Sequence, residues 1–269
     1  MVKRVLLVMC LILIALFGLT NVSQAADNPP AKVYLFVIDK LSIDDINRAD
    51  TPHLYDLAHQ GAVGLQSNRT LGSGTTEDGA LTIGAGNLAQ AGYLHILAYN
   101  VNSTVPGRNQ TAGQLYQNLT GNQVGKSSVV LVNLPQLQQL LAEANVNTQL
   151  GALGEVLRKQ GLKVSVIGNG DINGELSRMA AVIGMDARGR VALGDVGTRT
   201  STKATDSFVT TQTNYPFILR NLPNLSAGAQ LIIIELSNLA RLEKADQAVP
   251  SMEAAERKKQ LHEIDQFVS

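Results

Sequence analysis

Residues 32–39 read Lys-Val-Tyr-Leu-Phe-Val-Ile-Asp, an apolar run of β-branched and aromatic side chains that ends at an aspartate. A short run of this composition is typical of a buried strand. The runs Val129–Val132, Lys163–Ile167 and Leu231–Ile234 have the same character, and segments with helical spacing lie between them. Strands that alternate with helices predict an α/β fold, a three-layer αβα sandwich with a mainly parallel sheet.

Several segments around these strands are predicted to be helical. Thr51-Pro52 opens a helix that ends at Gly61, since proline suits a first helical turn. The Gly- and Thr-rich stretch 71–86 indicates a loop that feeds a helix, whereas Ala62–Leu65 is predicted to be a second short strand. The other predicted helices are 111–119, 134–144, 150–159 and 253–267.

Acidic residues come at the ends of three predicted strands, namely Asp39, Asp171 and Glu235. In open parallel sheets, ligands bind at the carboxyl ends of the strands. These carboxylates are therefore expected at one edge of the sheet, where a metal site would be built. The pattern by itself fits many α/β enzymes.

The N-terminus has the organisation of a signal peptide. Lys3 and Arg4 precede the apolar run Val5–Leu19, and Ser23-Gln24-Ala25 supplies the small residues of a cleavage site. We expect residues 1–25 to be removed and 26–269 to form one α/β domain, exported to the periplasm, the cell surface or the medium. Membrane contact is then transient. An uncleaved anchor is the alternative, although the apolar run is shorter than the roughly 20 residues of a spanning helix.

Composition excludes some other functions and sites. The chain has 22 basic and 22 acidic residues, so no net charge favours electrostatic capture of nucleic acid. Cys10 is the only cysteine and lies in the apolar run of the signal peptide. The mature chain would therefore have neither a disulfide nor a thiolate metal site.

Residues 76–86, Thr-Glu-Asp-Gly-Ala-Leu-Thr-Ile-Gly-Ala-Gly, resemble the nucleophile segment of the alkaline phosphatase superfamily. The most similar form is that of cofactor-independent phosphoglycerate mutases, Ser-Glu-x-Gly-His-x-Asn-Ile-Gly-Ala-Gly. Thr76 takes the place of the nucleophilic serine. A hydroxyl at a helix N-terminus lies among free N–H groups that hold phosphate or sulfate oxygens. Thr75 remains a rival after a one-residue slip, and both threonines have the alternative role of a helix cap.

Two further segments agree with this resemblance in order along the chain. The family opens with a strand and Asp-Gly, whose aspartate binds a metal; here Asp39 matches and Lys40 replaces the glycine. The Thr51-Pro52 helix and the run 57–64 (LAHQGAVG) resemble the family's segment between these two motifs.

The later family motifs match less well. A later strand should end in aspartate followed four residues on by histidine, but this chain has Glu235 and Leu239 there. The four histidines, His53, His59, His95 and His262, match none of the family's ligands. We therefore expect either a chain that lacks the C-terminal metal-ligand part or a degenerate member.

The resemblance implies an exported, metal-dependent hydrolase of phosphate mono- or diesters, with sulfate esters as a further option. Its substrate would be a small-molecule or lipid-headgroup phosphoester, and its cofactors divalent ions, Zn²⁺ or Mn²⁺/Mg²⁺, two in a complete protein. Asp39, Thr76 and Glu235 are the predicted metal ligands, and Arg69 and Asp171 the predicted substrate contacts. The alternative is an inactive envelope or interaction protein, or an inactive fragment that keeps the fold.

Overall fold

The computed structural model describes residues 31–67, 69–204, 209–246 and 253–269. The predicted signal peptide, residues 1–25, lies outside these ranges. The strands in the described ranges are β1 Val33–Ile38, β2 Ala98–Asn100, β3 Val129–Leu131, β4 Val164–Ile167, β5 Arg190–Val191, β6 Leu193–Asp195, β7 Ser201–Lys203, β8 Thr211–Thr213 and β9 Leu231–Leu236.

Nine α-helices lie in the same ranges, together with short 3₁₀ turns at Ile43–Asp45 and Thr198–Thr200. The helices are α1 Pro52–Gln60, α2 Thr76–Ala85, α3 Ala112–Thr120, α4 Leu134–Glu143, α5 Ala152–Lys159, α6 Met179–Gly184, α7 Tyr215–Leu225, α8 Asn238–Asp246 and α9 Glu253–Val268. None of these helices has the length and apolar character that crossing a bilayer requires.

The main sheet has four parallel strands in the order β1-β9-β4-β6. Its register sets Val37 beside Glu235, and Ile167 beside both Ile234 and Asp195. The carboxyl ends of the four strands therefore meet at one edge. Residues near the ends of the predicted strands, such as Asp39 and Glu235, are therefore close to this edge of the sheet.

Side chains of β9 alternate between two apolar layers, as the two-residue period of a strand requires. Ile233 joins a core with residues of α2, α4 and α6, whereas Ile232 and Ile234 join a second core with residues of α7 and α9. Helices thus cover both faces of the parallel sheet. The chain is mixed α/β, compatible with an αβα sandwich.

Two antiparallel sheets accompany the main sheet. One has the order β2-β3-β5, and the other is the pair β7-β8. The predicted strand at 129–132 therefore exists but pairs antiparallel, outside the parallel sheet. Its apolar run is equally suited to either kind of buried strand, because hydrophobicity carries no strand direction.

Most predicted elements are confirmed within a few residues, and one is wrong. Ala62–Leu65 forms no strand; the segment is exposed, and the side chain of Leu65 is 94% exposed. No neighbouring strand pairs with it among the described residues, and without a partner an apolar alternation gives no strand. Helices α6, α7 and α8 and strands β2, β5, β6, β7 and β8 were not predicted.

Candidate functional site

A cleft of about 290 Å³ opens at the carboxyl edge of the main sheet, beside the N-terminus of α2. Asp39 directly follows β1, and Thr76 is the first residue of α2. Both line the cleft together with Lys40, Gly74, Thr75, Glu77, Gly170, Ser177, Ala240, Arg241, Glu243 and Lys244.

Thr76 and Asp39 are in direct contact although 37 residues separate them in the chain. The Thr76 hydroxyl donates to Asp39 Oδ2 at 3.1 Å. Burial raises the pKa of the Asp39 carboxyl, while the hydrogen bond from Thr76 and the charge of Lys40 act in the opposite direction. The hydroxyl proton therefore already points to a carboxylate that can accept it.

Thr75 and Thr76 make different contacts. Thr75 caps α2, since its Oγ1 accepts from the backbone N–H of Asp78 at 3.2 Å. The buried Asp78 carboxylate completes the capping box by accepting from the Thr75 N–H at 3.3 Å, and it also accepts from the Ala91 N–H at 2.6 Å. The oxygen of Thr75 is thus used by the helix, whereas Thr76 is the hydroxyl that meets Asp39.

Close packing fixes the direction of α2. A Cβ on Gly84 would lie 2.3 Å from the carbonyl oxygen of Val182 in α6, so only glycine lets the two helices approach this closely. Gly86 ends α2 with φ +62°, the left-handed conformation that glycine adopts readily. Helix packing therefore requires Gly84 and helix termination favours Gly86, so both glycines of the predicted nucleophile segment have structural roles.

Lys40, the residue after Asp39, has left-handed backbone with φ +64°. Few non-glycine residues adopt this conformation, because their Cβ crowds the following carbonyl. The Lys40 Nζ lies 3.2 Å from Oε1 of Glu243 in α8. A lysine thus occupies a strained turn at the rim of the cleft.

Glu235 lies beneath the cleft and does not line it. It is the fifth of six residues in β9, inside the strand and not after it, and its side chain is 0% exposed. Oε2 accepts from the Ala180 N–H at 3.0 Å, and Oε1 accepts from the Ser237 hydroxyl at 3.0 Å. Burial raises the pKa of the Glu235 carboxyl to about 7. Both oxygens of this predicted ligand are engaged within the protein.

The loop after β4 separates Glu235 from the cleft. Gly168 has φ +101°, and a Cβ there would lie 2.4 Å from the Glu235 carbonyl oxygen. A Cβ on Gly170, which lines the cleft, would lie 3.1 Å from Glu235 Oε1. The two glycines let the loop lie directly over the strand end.

Arg241 in α8 is the residue that sequence reasoning missed. Its side chain is 1% exposed and donates to the carbonyls of Asn169 and Asp171 and to the side-chain oxygens of Thr213 and Asn238. Burial lowers the pKa of its guanidinium, and the nearby carboxylates of Glu235 and Asp171 oppose that effect. No local pattern around residue 241 indicates the other partners, because all of them except Asn238 come from distant segments.

The two predicted substrate contacts lie elsewhere. Asp171 is four residues past β4, and its carboxylate accepts from Arg178 Nη2 at 2.7 Å and from the Ser177 N–H at 3.0 Å. It lines a neighbouring cavity of about 430 Å³. Arg69 is exposed and is not among the residues that line the Thr76 cleft.

The side chains at the cleft supply part of a metal centre. Carboxylate and hydroxyl oxygens suit a hard cation such as Mg²⁺, and Asp39 and Thr76 provide one of each. A zinc site usually has three or four protein ligands. In the described parts of the chain, no three His, Cys, Asp or Glu side chains are grouped to hold a metal ion. These residues alone therefore do not fit a complete metal centre.

Comparisons of the chain with protein-family models, with curated proteins and with solved structures gave no match. The resemblance to the alkaline phosphatase superfamily rests on the sequence motifs alone.

Proposed function

We propose that the chain carries the nucleophile of an exported phosphoester hydrolase with an alkaline-phosphatase-like αβα fold. The observation that carries this proposal is the hydrogen bond from the Thr76 hydroxyl to Asp39 at 3.1 Å, at the carboxyl edge of a parallel sheet. Phosphate mono- or diesters of small molecules or lipid headgroups are the substrates proposed first, and sulfate esters second.

In the proposed reaction, Thr76 Oγ1 attacks phosphorus and its proton passes to Asp39. The new Oγ–P bond forms as the bond from phosphorus to the leaving oxygen breaks, and solvent protonates that oxygen, which lies opposite Oγ1 in an in-line displacement. Water then attacks the phosphothreonine, and Asp39 returns the proton to the leaving Oγ1, which regenerates Thr76 and releases phosphate from a monoester or a phosphate monoester from a diester. N–H groups in the first turn of a helix lack helical partners, so those of α2, apart from the Asp78 N–H that Thr75 caps, would bind the phosphoryl oxygens.

A divalent cation, proposed at Asp39 and Thr76, would lower the pKa of the hydroxyl and offset charge on the phosphoryl group. The described residues supply only these two ligands, so further ligands are required for a two-metal centre. Zn²⁺, Mn²⁺ and Mg²⁺ are the ions to test, and ion content after purification is the direct measurement.

Hydrolysis of an aryl phosphate by the purified chain, with each metal and with a chelator, tests the proposal. Thr76→Ala is expected to lower kcat by about 10³-fold or more, because the nucleophile is removed. Thr76→Ser keeps a hydroxyl and retains measurable activity. Thr202→Ala, an exposed threonine in β7, is the matched control and leaves the rate unchanged.

A wild-type chain that is inert with every metal, or a Thr76→Ala chain as active as wild type, contradicts the proposal. Trapping supplies a second readout: a phosphate group found on Thr76 by mass spectrometry after an acid quench supports the covalent step.

A non-catalytic envelope or interaction protein is the second candidate. Two observations favour it: Glu235 is fully engaged with Ala180 and Ser237, and no three metal-binding side chains are grouped within the described ranges. This candidate predicts a metal-free chain that hydrolyses neither phosphate nor sulfate esters and keeps its fold.

A further inference from the structure

Lys40, in the turn after β1, places a positive charge at the mouth of the Thr76 cleft, and its backbone conformation is strained. Lys40 has φ +64°, which costs a non-glycine residue free energy that glycine would not lose. Strained backbone of this kind concentrates at functional sites. The strained conformation therefore indicates that the Lys40 side chain has a function at the cleft.

The partner of Lys40 leaves it available. Its Nζ is 3.2 Å from Glu243 Oε1, and the two side chains are 45% and 56% exposed. Exposed ion pairs contribute little to stability and exchange readily with other charges. Glu243 thus keeps the Lys40 ammonium at the cleft through a weak ion pair, and a bound anion can replace the Glu243 carboxylate.

The other cations at the cleft are less suited to bind a ligand. Arg241 is buried, and its donors are already used by backbone and side-chain oxygens. Lys244 also forms an exposed pair, with Glu175 at 3.6 Å, so only its position in the cleft separates it from Lys40. Lys40 alone of the three adjoins Asp39, the residue that accepts the Thr76 hydroxyl.

We propose that Lys40 is the anion-binding residue of this cleft, whose ammonium leaves Glu243 and pairs with a non-bridging oxygen of the bound phosphoryl group. The proposal rests on the proposed function, since it names the group that holds the substrate of the same site. Glu243 then acts as a stand-in for the substrate: it occupies the ammonium in the free protein and competes with phosphate for it.

Inorganic phosphate is the probe, with its affinity for the purified full chain measured by calorimetry at low salt. Lys40→Gln is expected to weaken phosphate binding by about tenfold or more, because a charged hydrogen bond is lost. Glu243→Gln should tighten binding by roughly threefold, since the competing carboxylate is removed. A purely structural ion pair predicts no such opposite effects of its two partners.

Lys40→Gly adds a readout of the strain. It should raise Tm, because glycine accepts φ +64° without a Cβ penalty, and weaken phosphate binding as Lys40→Gln does. Lys258→Gln is the matched control, since Lys258 forms a similar exposed pair with Asp50 at 3.3 Å away from the cleft. It should change neither the affinity nor Tm appreciably.

The outcomes separate this inference from the proposed function. Phosphate binding that is absent in wild type, or unchanged in Lys40→Gln, overturns the role of Lys40 even where Thr76→Ala abolishes hydrolysis. Phosphate binding that depends on Lys40 in a chain without hydrolytic activity supports the anion site and contradicts the catalytic proposal. Retention of phosphate binding by Thr76→Ala confirms that the two residues have separate tasks.

Discussion

Two polar regions meet at the loop 168–178, and they differ in how their hydrogen-bonding groups are used. We call Glu235, Ser237, Asn169, Asn238 and Arg241 the Arg241 network; all five are buried. In the Thr76 cleft, the Lys40–Glu243 pair is half exposed and the Thr76 hydroxyl donates to Asp39. The hydrogen-bond donors of the Arg241 network bind acceptors within the protein, whereas the side chains of the Thr76 cleft are accessible to a ligand.

The difference shows that charge at a sheet edge does not by itself mark a site. Glu235 lies in β9 and Asp39 directly follows the neighbouring β1, yet one carboxylate enters the interior and the other lines the cleft. Buried polar groups are costly unless they are paired, so their partners are fixed parts of the fold. Exposed groups have no such constraint. Substitutions in the two regions test this division between structural and ligand-binding roles.

The largest expected effect is on the network. Arg241→Ala removes the donors to the Asn169 and Asp171 carbonyls and leaves buried acceptors unpaired. We expect a loss of roughly 3–5 kcal/mol in the free energy of unfolding, measured by chemical denaturation. Arg158→Ala is the control, because that side chain is 47% exposed although its partner Glu155 is only 12% exposed; its cost should be much smaller than that of Arg241→Ala. Equal losses of unfolding free energy in Arg241→Ala and Arg158→Ala would contradict the structural role of Arg241.

Glu235 makes the stability of the network dependent on pH. Burial raises its pKa to about 7 in the folded chain from an ordinary value of 4.5, so the carboxyl ionises first in the unfolded chain as pH rises. Folding stability contributed by this group is full below about pH 4.5 and falls as pH rises to about 7. Glu235→Gln removes that dependence and should be more stable than wild type at pH 8 by on the order of 3 kcal/mol.

The difference between Glu235→Gln and wild type at pH 4.5 should be small, since both side chains are then neutral. Denaturation curves at several pH values between 4 and 8 supply the measurement. Glu143→Gln, an exposed glutamate in α4, is the control and should follow the wild-type profile. A Glu235→Gln variant that loses stability at pH 8 would mean that the carboxylate is ionised and held by unrecognised partners.

The two adjacent threonines provide a smaller and more local test. Thr75→Ala removes the cap on the Asp78 N–H and should cost about 1 kcal/mol, whereas Thr76→Ala should cost less than about 0.5 kcal/mol. Thr111→Ala removes an equivalent cap from α3 and should match Thr75→Ala in thermal or chemical unfolding. Thr75→Asn keeps a capping oxygen without a nucleophilic hydroxyl, so it should retain hydrolysis. Loss of hydrolysis in Thr75→Asn would transfer the nucleophile role to Thr75.

Sequence reasoning succeeded where local pattern and order along the chain suffice. The strand before Asp39, the helix that begins at Pro52 and the loop and helix around Thr76 follow from apolar runs and from capping and turn residues. The proximity of Asp39 and Thr76 was also expected, because the resemblance implies that the aspartate after the first strand binds a metal beside the nucleophile.

The rest depends on contacts that no local pattern contains. A carboxylate near a strand end has the same pattern whether its side chain enters a cleft or the core, so the burial of Glu235 was not predictable. The backbone carbonyls that accept from Arg241 lie about 70 residues away in the loop after β4. Helix α6 is short and wholly buried, and such a segment has no polar face to give a helical period.

The smallest expected effect concerns the pair at the mouth of the cleft. A double-mutant cycle with Lys40→Gln and Glu243→Gln should give a coupling energy below about 0.5 kcal/mol in unfolding experiments, because both side chains are half exposed. Asp171→Asn and Arg178→Gln, which alter a much less exposed pair, supply the comparison and should couple more strongly. A Lys40–Glu243 coupling energy as large as that of Asp171 and Arg178 would show that the Lys40–Glu243 pair stabilises the fold. Lys40 would then not be free to leave Glu243 for a bound anion.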